Sequence, residues 1–240
     1  MIYRILSIIS SIILLTGASF GQDAQLDSLL KVLNNSKSDT NKVNLLNTIS
    51  KKFFTSNPER SVFYGLQSAD LAKSLHFNRG LAYAYKNTGI GYFYKGENID
   101  AIKSYQLSLA TFDSMGDKKG VANIYSNMGN VYYNQGEDVE ALDLYLKALK
   151  YADESKDTLR MLTALGNIGA IYGKKKQTYE LAIKYYLQCL LLSKLNGDKS
   201  AIGITCANLG EVYMNKATYD SAHIYFDESL KNVDGTEDAP

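Results

Sequence analysis

Asn127-Met128-Gly129-Asn130-Val131-Tyr132, continued by Gly136, Ala141, Tyr145, Ala148 and Leu149, is the stretch whose reading decides the fold. From Gly129 the offsets are 3 to Tyr132, 7 to Gly136 and 12 to Ala141, and from Ala141 they are 4 to Tyr145 and 7 to Ala148. Spacings of 3, 4 and 7 place residues on one face of a helix. A glycine between two such runs accepts the positive φ that ends a helix. The stretch therefore describes two helices joined by a tight turn.

The same unit recurs. Upstream it reads Asn87, Gly89, Tyr92, Gly96, Ala101, Tyr105, Ser108 and Leu109; downstream it reads Asn167, Gly169, Tyr172, Ala182, Tyr186, Cys189 and Leu190, with one extra residue near Gln177 to Tyr179. The last copy is Asn208, Gly210, Tyr213, Ala222, Phe226, Ser229 and Leu230. Tyr92, Tyr132, Tyr172 and Tyr213 give a period of 40, 40 and 41, and a degenerate first copy fits Ile49, Ser50, Phe53, Ser61, Gly65 and Ser68. A period in this range implies an α-solenoid of stacked units.

The order Gly-x-x-Tyr, then Ala-x-x-x-Tyr or Phe, then a small residue and Leu resembles the tetratricopeptide repeat. The resemblance covers residues 42–232. The period exceeds the usual repeat of about 34 residues, tryptophan is absent and no proline closes the second helix. In this the chain resembles the longer-helix arrays of kinesin light chain and of bacterial exported or sensor proteins. The resemblance implies an all-α, right-handed superhelix of about five helix pairs, and the residues ahead of it read as a signal peptide and a short N-terminal helix. Its expected divisions are 42–78, 79–118, 119–157, 158–198 and 199–232, with 22–41 as N-terminal helix and linker and 233–240 as a tail.

Physical reasoning fills in the positions. Gly89, Gly129, Gly169 and Gly210 lie within helices, where glycine costs about 1 kcal/mol relative to alanine. Close crossing by the paired helix, at the small residues Ala101, Ala141, Ala182 and Ala222, is the expected compensation. Asp117, Asp157 and Asp198 fall between units and suit N-caps, and Pro58 suits a first helical turn. Expected helices are 42–54, 59–74, 79–95, 98–114, 119–135, 138–153, 158–174, 179–195, 199–215 and 219–232. Leu26, Leu29, Leu30 and Leu33 form the apolar stripe of a helix covering the first repeat. The last repeat has no obvious capping helix, which leaves three options: a polar final helix, a longer chain, or oligomerisation through the C-terminal repeat.

The first residues combine Arg4, an apolar run from Ile5 to Leu15 and small residues around Thr16 to Ala18, the form of a secretory signal peptide. Cleavage after Gly21 or Ala18 is expected, and the run is short of the roughly 20 residues of a spanning helix. An uncleaved anchor is the competing reading. The expected location is thus exported, periplasmic or secreted. Of 26 basic and 25 acidic residues, removal of 1–21 takes Arg4 alone, and the resulting neutrality argues against a nucleic-acid partner. No other stretch suits a membrane span.

Chemistry-bearing residues are sparse. His76 and His223 have no metal-ligand spacing, no cofactor motif is present, and nothing resembles a phosphate loop, a nucleophile elbow or a carboxylate pair. Cys189 and Cys206 lie on consecutive helices; a disulfide and two small buried side chains both remain open. No enzyme is expected. The informative polar row is Asn87, Asn127, Asn167 and Asn208, two residues before each repeat glycine. The resemblance places this row in the concave groove, where an amide pairs with a peptide main chain; the other reading is that these amides tie neighbouring helices together. Tyr83, Lys86, Asn123, Asn130 and Asn134 complete the candidate peptide-binding groove, with Tyr133, Thr163, Lys174, Glu211 and Asn215 in the same register. The leading expectation is an exported, non-enzymatic protein- or peptide-binding scaffold. The alternative is the N-terminal input domain of a bacterial signalling protein, of histidine kinase or transcriptional regulator type.

Overall fold

A computed structural model describes residues 25–233, all of whose regular structure is helical. The expected leader at 1–21, its cleavage point and nearly all of the 233–240 tail lie outside the described residues. After α1 at 25–34 come α2 (Thr40–Lys52), α3 (Pro58–Ser74), α4 (Asn78–Lys95), α5 (Asn98–Ser114), α6 (Lys118–Gln135) and α7 (Asp138–Glu154). They are followed by α8 (Thr158–Tyr172), a 3-10 turn (Lys176–Thr178), α9 (Tyr179–Asn196), α10 (Lys199–Asn215) and α11 (Tyr219–Val233). The ten helices from α2 onward end within about two residues of the ends expected from the repeat pattern.

The chain divides into two compact units between Thr111 and Phe112. In the first unit, α2 packs on α3, α3 on α4 and α2 on α4. The leucine stripe of α1 behaves as its spacing predicts: Leu33 joins Leu46, Ile49, Phe53 and Tyr64 in one cluster, with Leu26, Leu29 and Leu30 packed against it. In the second unit each helix from α6 to α11 packs on the next, and α6, α8 and α10 also touch one another in turn. This is the pattern of stacked helix pairs, in which each repeat buries its apolar face only against its neighbours.

Within each pair the seam is built from a glycine and a ring. A Cβ on Gly89 would meet the Tyr105 ring at 2.6 Å, and the same holds for Gly129 on Tyr145, Gly169 on Tyr186 and Gly210 on Phe226. The glycine is therefore needed to seat the aromatic of the second helix. The expected close crossing is present: Ala101, Ala141, Ala182 and Ala222 are fully buried at the seam, and the Cβ position on Gly89 lies 3.2 Å from Ala101 O; the ring is the part of the contact that the spacing did not name. Tyr105 and Tyr145 are among the largest fully buried side chains. Burial of the ring contributes about 1.5–3 kcal/mol, which offsets the helical glycine.

One turn further along the second helix a small polar group closes the seam. Ser68, Ser108 and Ser229 donate to the carbonyls of Val43, Ala82 and Gly203, and Cys189 directs its thiol to Leu162 O at 3.6 Å in the corresponding place. Cys189 thus stands in for a serine. Both cysteines are free thiols in buried positions, so the disulfide left open by the sequence is not formed. Burial pushes both thiols up from their ordinary range.

The turns follow the expected chemistry with informative exceptions. Asp117, Asp157 and Asp198 accept from the backbone N–H of Gly120, Arg160 and Ala201, and Asp39 and Asn57 do the same for α2 and α3. Gly136 ends α6 at φ 79°, with Glu137 N–H bonded to Tyr132 O, a Schellman-type stop. The corresponding residue after α10 is Ala217, held at φ 59°. After α8 the extra residue is absorbed by the 3-10 turn, and that helix ends at Tyr172 rather than at the expected 174.

Candidate functional site

Residues on the first helix of each pair that are not needed for the seam point to the opposite face, and there they form grooves. In the first unit, α2 and α4 enclose a groove of about 700 Å³ lined by Asn44, Asn47, Lys51, Lys52, Tyr83, Lys86, Asn87 and Tyr94 among others. Lys86 Nζ lies 4.8 Å from the centroid of the Tyr83 ring, a cation–π contact. Among the described residues the lining holds three lysines and no carboxylate. Its character is thus aromatic, amide-bearing and basic.

Asn87 forms the floor. It is 5% exposed, and its Nδ2 donates to Asn47 O at 3.0 Å, with Asn47 Oδ1 at 3.5 Å. Asn47 in turn donates through Nδ2 to Gly80 O at 3.0 Å. The amide donor of Asn87 therefore ties α4 to α2 while its side chain stays in the groove lining. Asn47 sits one period of 40 before Asn87 and belongs to the same row. The sequence reading missed it because Ile49 replaces the repeat glycine there and hides the first copy's register.

In the second unit the amide row is half-buried. Asn167 Nδ2 approaches Asn130 Oδ1 at 3.4 Å, and that same oxygen accepts the Tyr145 hydroxyl at 2.7 Å. Asn130 thereby joins the groove face to the seam. Asn167 and Asn208 line a groove of about 440 Å³ between α8 and α10, with Thr163 and the exposed Leu159 and Ile204 beside them. Asn208 also reaches a smaller hollow of about 280 Å³ with Tyr133, Lys174, Glu211 and Asn215. Lys174 Nζ stacks 3.8 Å from the Tyr133 ring centroid and pairs with Asp138. Asn123 and Asn127 are half-buried and Asn134 is exposed, on α6; none of the three lines the grooves described.

His223 Nδ1 lies 3.0 Å from Asp227 Oδ2, four residues apart on α11, a pair that the sequence reading overlooked. Both are exposed, and such helix pairs contribute a few tenths of a kcal/mol. Among the described residues no three His, Cys, Asp or Glu side chains converge as metal ligands, and no helix is long and apolar enough to cross a membrane.

With this geometry in view, comparison with known proteins defines the class. The tetratricopeptide repeat family matches residues 80–154 and 120–178, which span the pairs from α4 to the turn before α9. The helix pairs within residues 80–178 match the tetratricopeptide repeat. Among solved structures, BtubC (BKLC) from P. vanneervenii superposes with a TM-score of 0.73 at 16% identity, covering 92% of this chain and 91% of that one. A Rap protein complexed with Competence and Sporulation Factor gives 0.69 at 13% identity, over 91% of this chain and 72% of that one. The apo quorum sensor NprR from B. thuringiensis gives 0.68 at 22% identity, over 88% of this chain and 58% of that one. These TM-scores show a shared fold. No curated protein matches the sequence.

Proposed function

We propose that this chain is a non-enzymatic scaffold that binds a protein or peptide along the first-helix faces of its repeats. The observation that carries the reading is the groove between α2 and α4, where Tyr83, Lys86 and Asn87 stand over a wall bearing Lys51 and Lys52. Aromatic and amide groups suit an extended segment, whose main chain offers both donors and acceptors. The positive charges of Lys51 and Lys52 in the wall favour a segment with acidic side chains. The Rap neighbour, whose solved complex contains Competence and Sporulation Factor, supports a ligand-binding role for this fold.

The test is a selection of random peptides on the purified chain, followed by affinity measurement. The reading expects enrichment of acidic peptides, and at least about tenfold weaker binding on Tyr83→Ala with Lys86→Ala, as for a truncated hot spot. Absence of any enriched peptide, or unchanged affinity in a folded double variant, contradicts it.

Export belongs to the same proposal and rests on the residue 1–18 pattern. A second reading, the input portion of a bacterial signalling protein, is favoured by the likeness to NprR, of which this chain spans 58%. Fractionation of producing cells with intact mass measurement separates the two. A soluble exported species slightly lighter than 26.6 kDa supports the stand-alone scaffold; a larger, membrane-associated or cytosolic species supports the second.

A further inference from the structure

The first helix of the α8–α9 pair lacks two side chains that its neighbour α6 supplies. Asn130 and Tyr133 stand one and four residues after the repeat glycine on α6, and their counterparts on α8 are Ala170 and Gly173. The hollow of about 280 Å³ lies where these two small residues meet α10. A seam hydroxyl loses its partner there. Tyr145 donates to Asn130 Oδ1 at 2.7 Å, whereas the hydroxyl of Tyr186, its counterpart, has no hydrogen-bond partner among the described residues. Tyr186 is 4% exposed, so this polar group stands at the tip of an otherwise sealed side chain. Arg160 Nε is the one wholly enclosed polar side-chain atom left unpaired among the described residues. The Tyr186 hydroxyl is therefore open, and the space it opens on is the hollow that Tyr186 lines.

The α10 wall carries a second unused group. Glu211 takes the place of Asn130 on α10, but the ring of that pair is Phe226, which has no hydroxyl for it to accept. Glu211 makes no ion pair among the described residues, while Lys174 in the same lining is paired with Asp138. After burial, the charge of Glu211 helps to raise the Tyr186 phenol above its ordinary range, which agrees with their sharing one space. Gly166 supplies an approach. It lies in the adjoining groove, which shares Ala170 and Asn208 with the hollow. Glycine weakens a helix relative to alanine, and at Gly89, Gly129, Gly169 and Gly210 a ring requires it. A Cβ on Gly166 would meet nothing within 4 Å. The fold gains nothing from this glycine, whereas a ligand main chain drawn close to α8 does.

We infer that the second unit takes a peptide main chain over Gly166 and an arginine side chain of that peptide in the hollow, its guanidinium among Glu211, Asn208 and the Tyr186 hydroxyl. A guanidinium is always charged and carries only donors. The three groups offer it acceptors, and the one charge among them that no other side chain neutralises is negative. A space below the roughly 300 Å³ at which small-molecule pockets begin suits a side chain better than a free ligand. The subsite rests on the proposed scaffold role only for the kind of ligand, a peptide, and uses nothing of the α2–α4 groove.

The test is a two-dimensional NMR titration of the isotope-labelled chain with acetyl-Gly-Arg-Gly-amide, and with the same tripeptide carrying citrulline, the uncharged isostere of arginine. The arginine peptide is expected to shift the Asn208 side-chain amide saturably, with a Kd of about 1–10 mM for a single anchor. Citrulline is expected to bind at least about fivefold more weakly, having lost the charge that strengthens its hydrogen bonds. Glu211→Gln and Tyr186→Phe keep the shape of the wall and the seated ring, and each is expected to weaken the arginine peptide at least about threefold in a folded chain. Gly166→Ala is expected to raise the melting temperature while weakening the peptide, an opposition that a purely structural glycine does not give. No saturable shift, equal binding of citrulline, or unchanged affinity in folded Glu211→Gln overturns the inference. Shifts confined to Tyr83, Lys86 and Asn87 place the peptide in the α2–α4 groove, which overturns this subsite and leaves the proposed function standing.

Discussion

The pair α6–α7 and the pair α8–α9 share a seam and differ in their turns and outer faces. Gly129 sits on Tyr145 and Gly169 on Tyr186 at the same 2.6 Å for an added Cβ. Yet the first pair turns through Gly136 at φ 79° and the second through a 3-10 insertion. Their outer faces differ too, Lys150 and Glu154 on α7 answering to Leu191 and Leu195 on α9. The seam is a packing requirement that leaves little freedom, whereas the turn and both outward faces are open to change. What distinguishes one repeat from another therefore lies on those faces.

The hardest way to break this comparison is at the seam itself. Gly129→Leu and Gly169→Leu are each expected to lower stability by more than about 3 kcal/mol, since a large side chain must displace a buried ring. Urea unfolding followed by circular dichroism measures this. Equal losses at the two sites mean one shared seam; a tolerated leucine at either site means the pairs are not equivalent.

The seam tyrosines also give a pH signature. Burial holds the phenols of Tyr105, Tyr145 and Tyr186 well above the ordinary tyrosine range. In the unfolded chain they ionise near pH 10, so above that pH the unfolded state loses protons that the folded state keeps. Stability is therefore fully present below about pH 10 and falls above it. Melting scans between pH 8 and 11 are expected to show a flat region and then a decline, with the folded phenols invisible to ultraviolet titration until unfolding. Ionisation at an ordinary pH in the folded protein contradicts the burial.

A smaller contrast separates floor from rim in the first-unit groove. Asn87→Ala removes the donor to Asn47 and is expected to cost about 1–3 kcal/mol of stability. Tyr83→Ala, on the half-buried rim, is expected to cost less than Asn87→Ala in the same urea titration, and reversal of that order contradicts the assignment of Asn87 to the floor. The smallest expected effect is a gain. Ala217→Gly relieves a left-handed alanine at the turn where Gly96 and Gly136 stand in other copies, and is expected to add about 1 kcal/mol. A loss there means that the alanine methyl packs usefully.

Much of this fold is legible in the sequence because its signals are local. Helix faces, caps and the Gly136 turn depend on residues within one turn of each other, and the period of 40 repeats them until they are unmistakable. Three features were not legible for definite reasons. The partner of Gly129 is Tyr145 on the other helix, and spacing along the chain does not say which of the small and large residues there faces it. Asn47 was hidden by Ile49. The amide row was read as equally suited to groove or stacking, and Asn87 does both: its Nδ2 stacks repeats while its side chain lines a groove.

The central claim is that the first-helix face carries the binding site and the second-helix face does not. The most direct measurement is the affinity of one selected peptide for two folded double variants. Tyr83→Ala with Lys86→Ala is expected to weaken binding at least about tenfold, and Leu191→Lys with Leu195→Glu to leave it unchanged. The reverse order, or equal loss on both faces, would contradict the account.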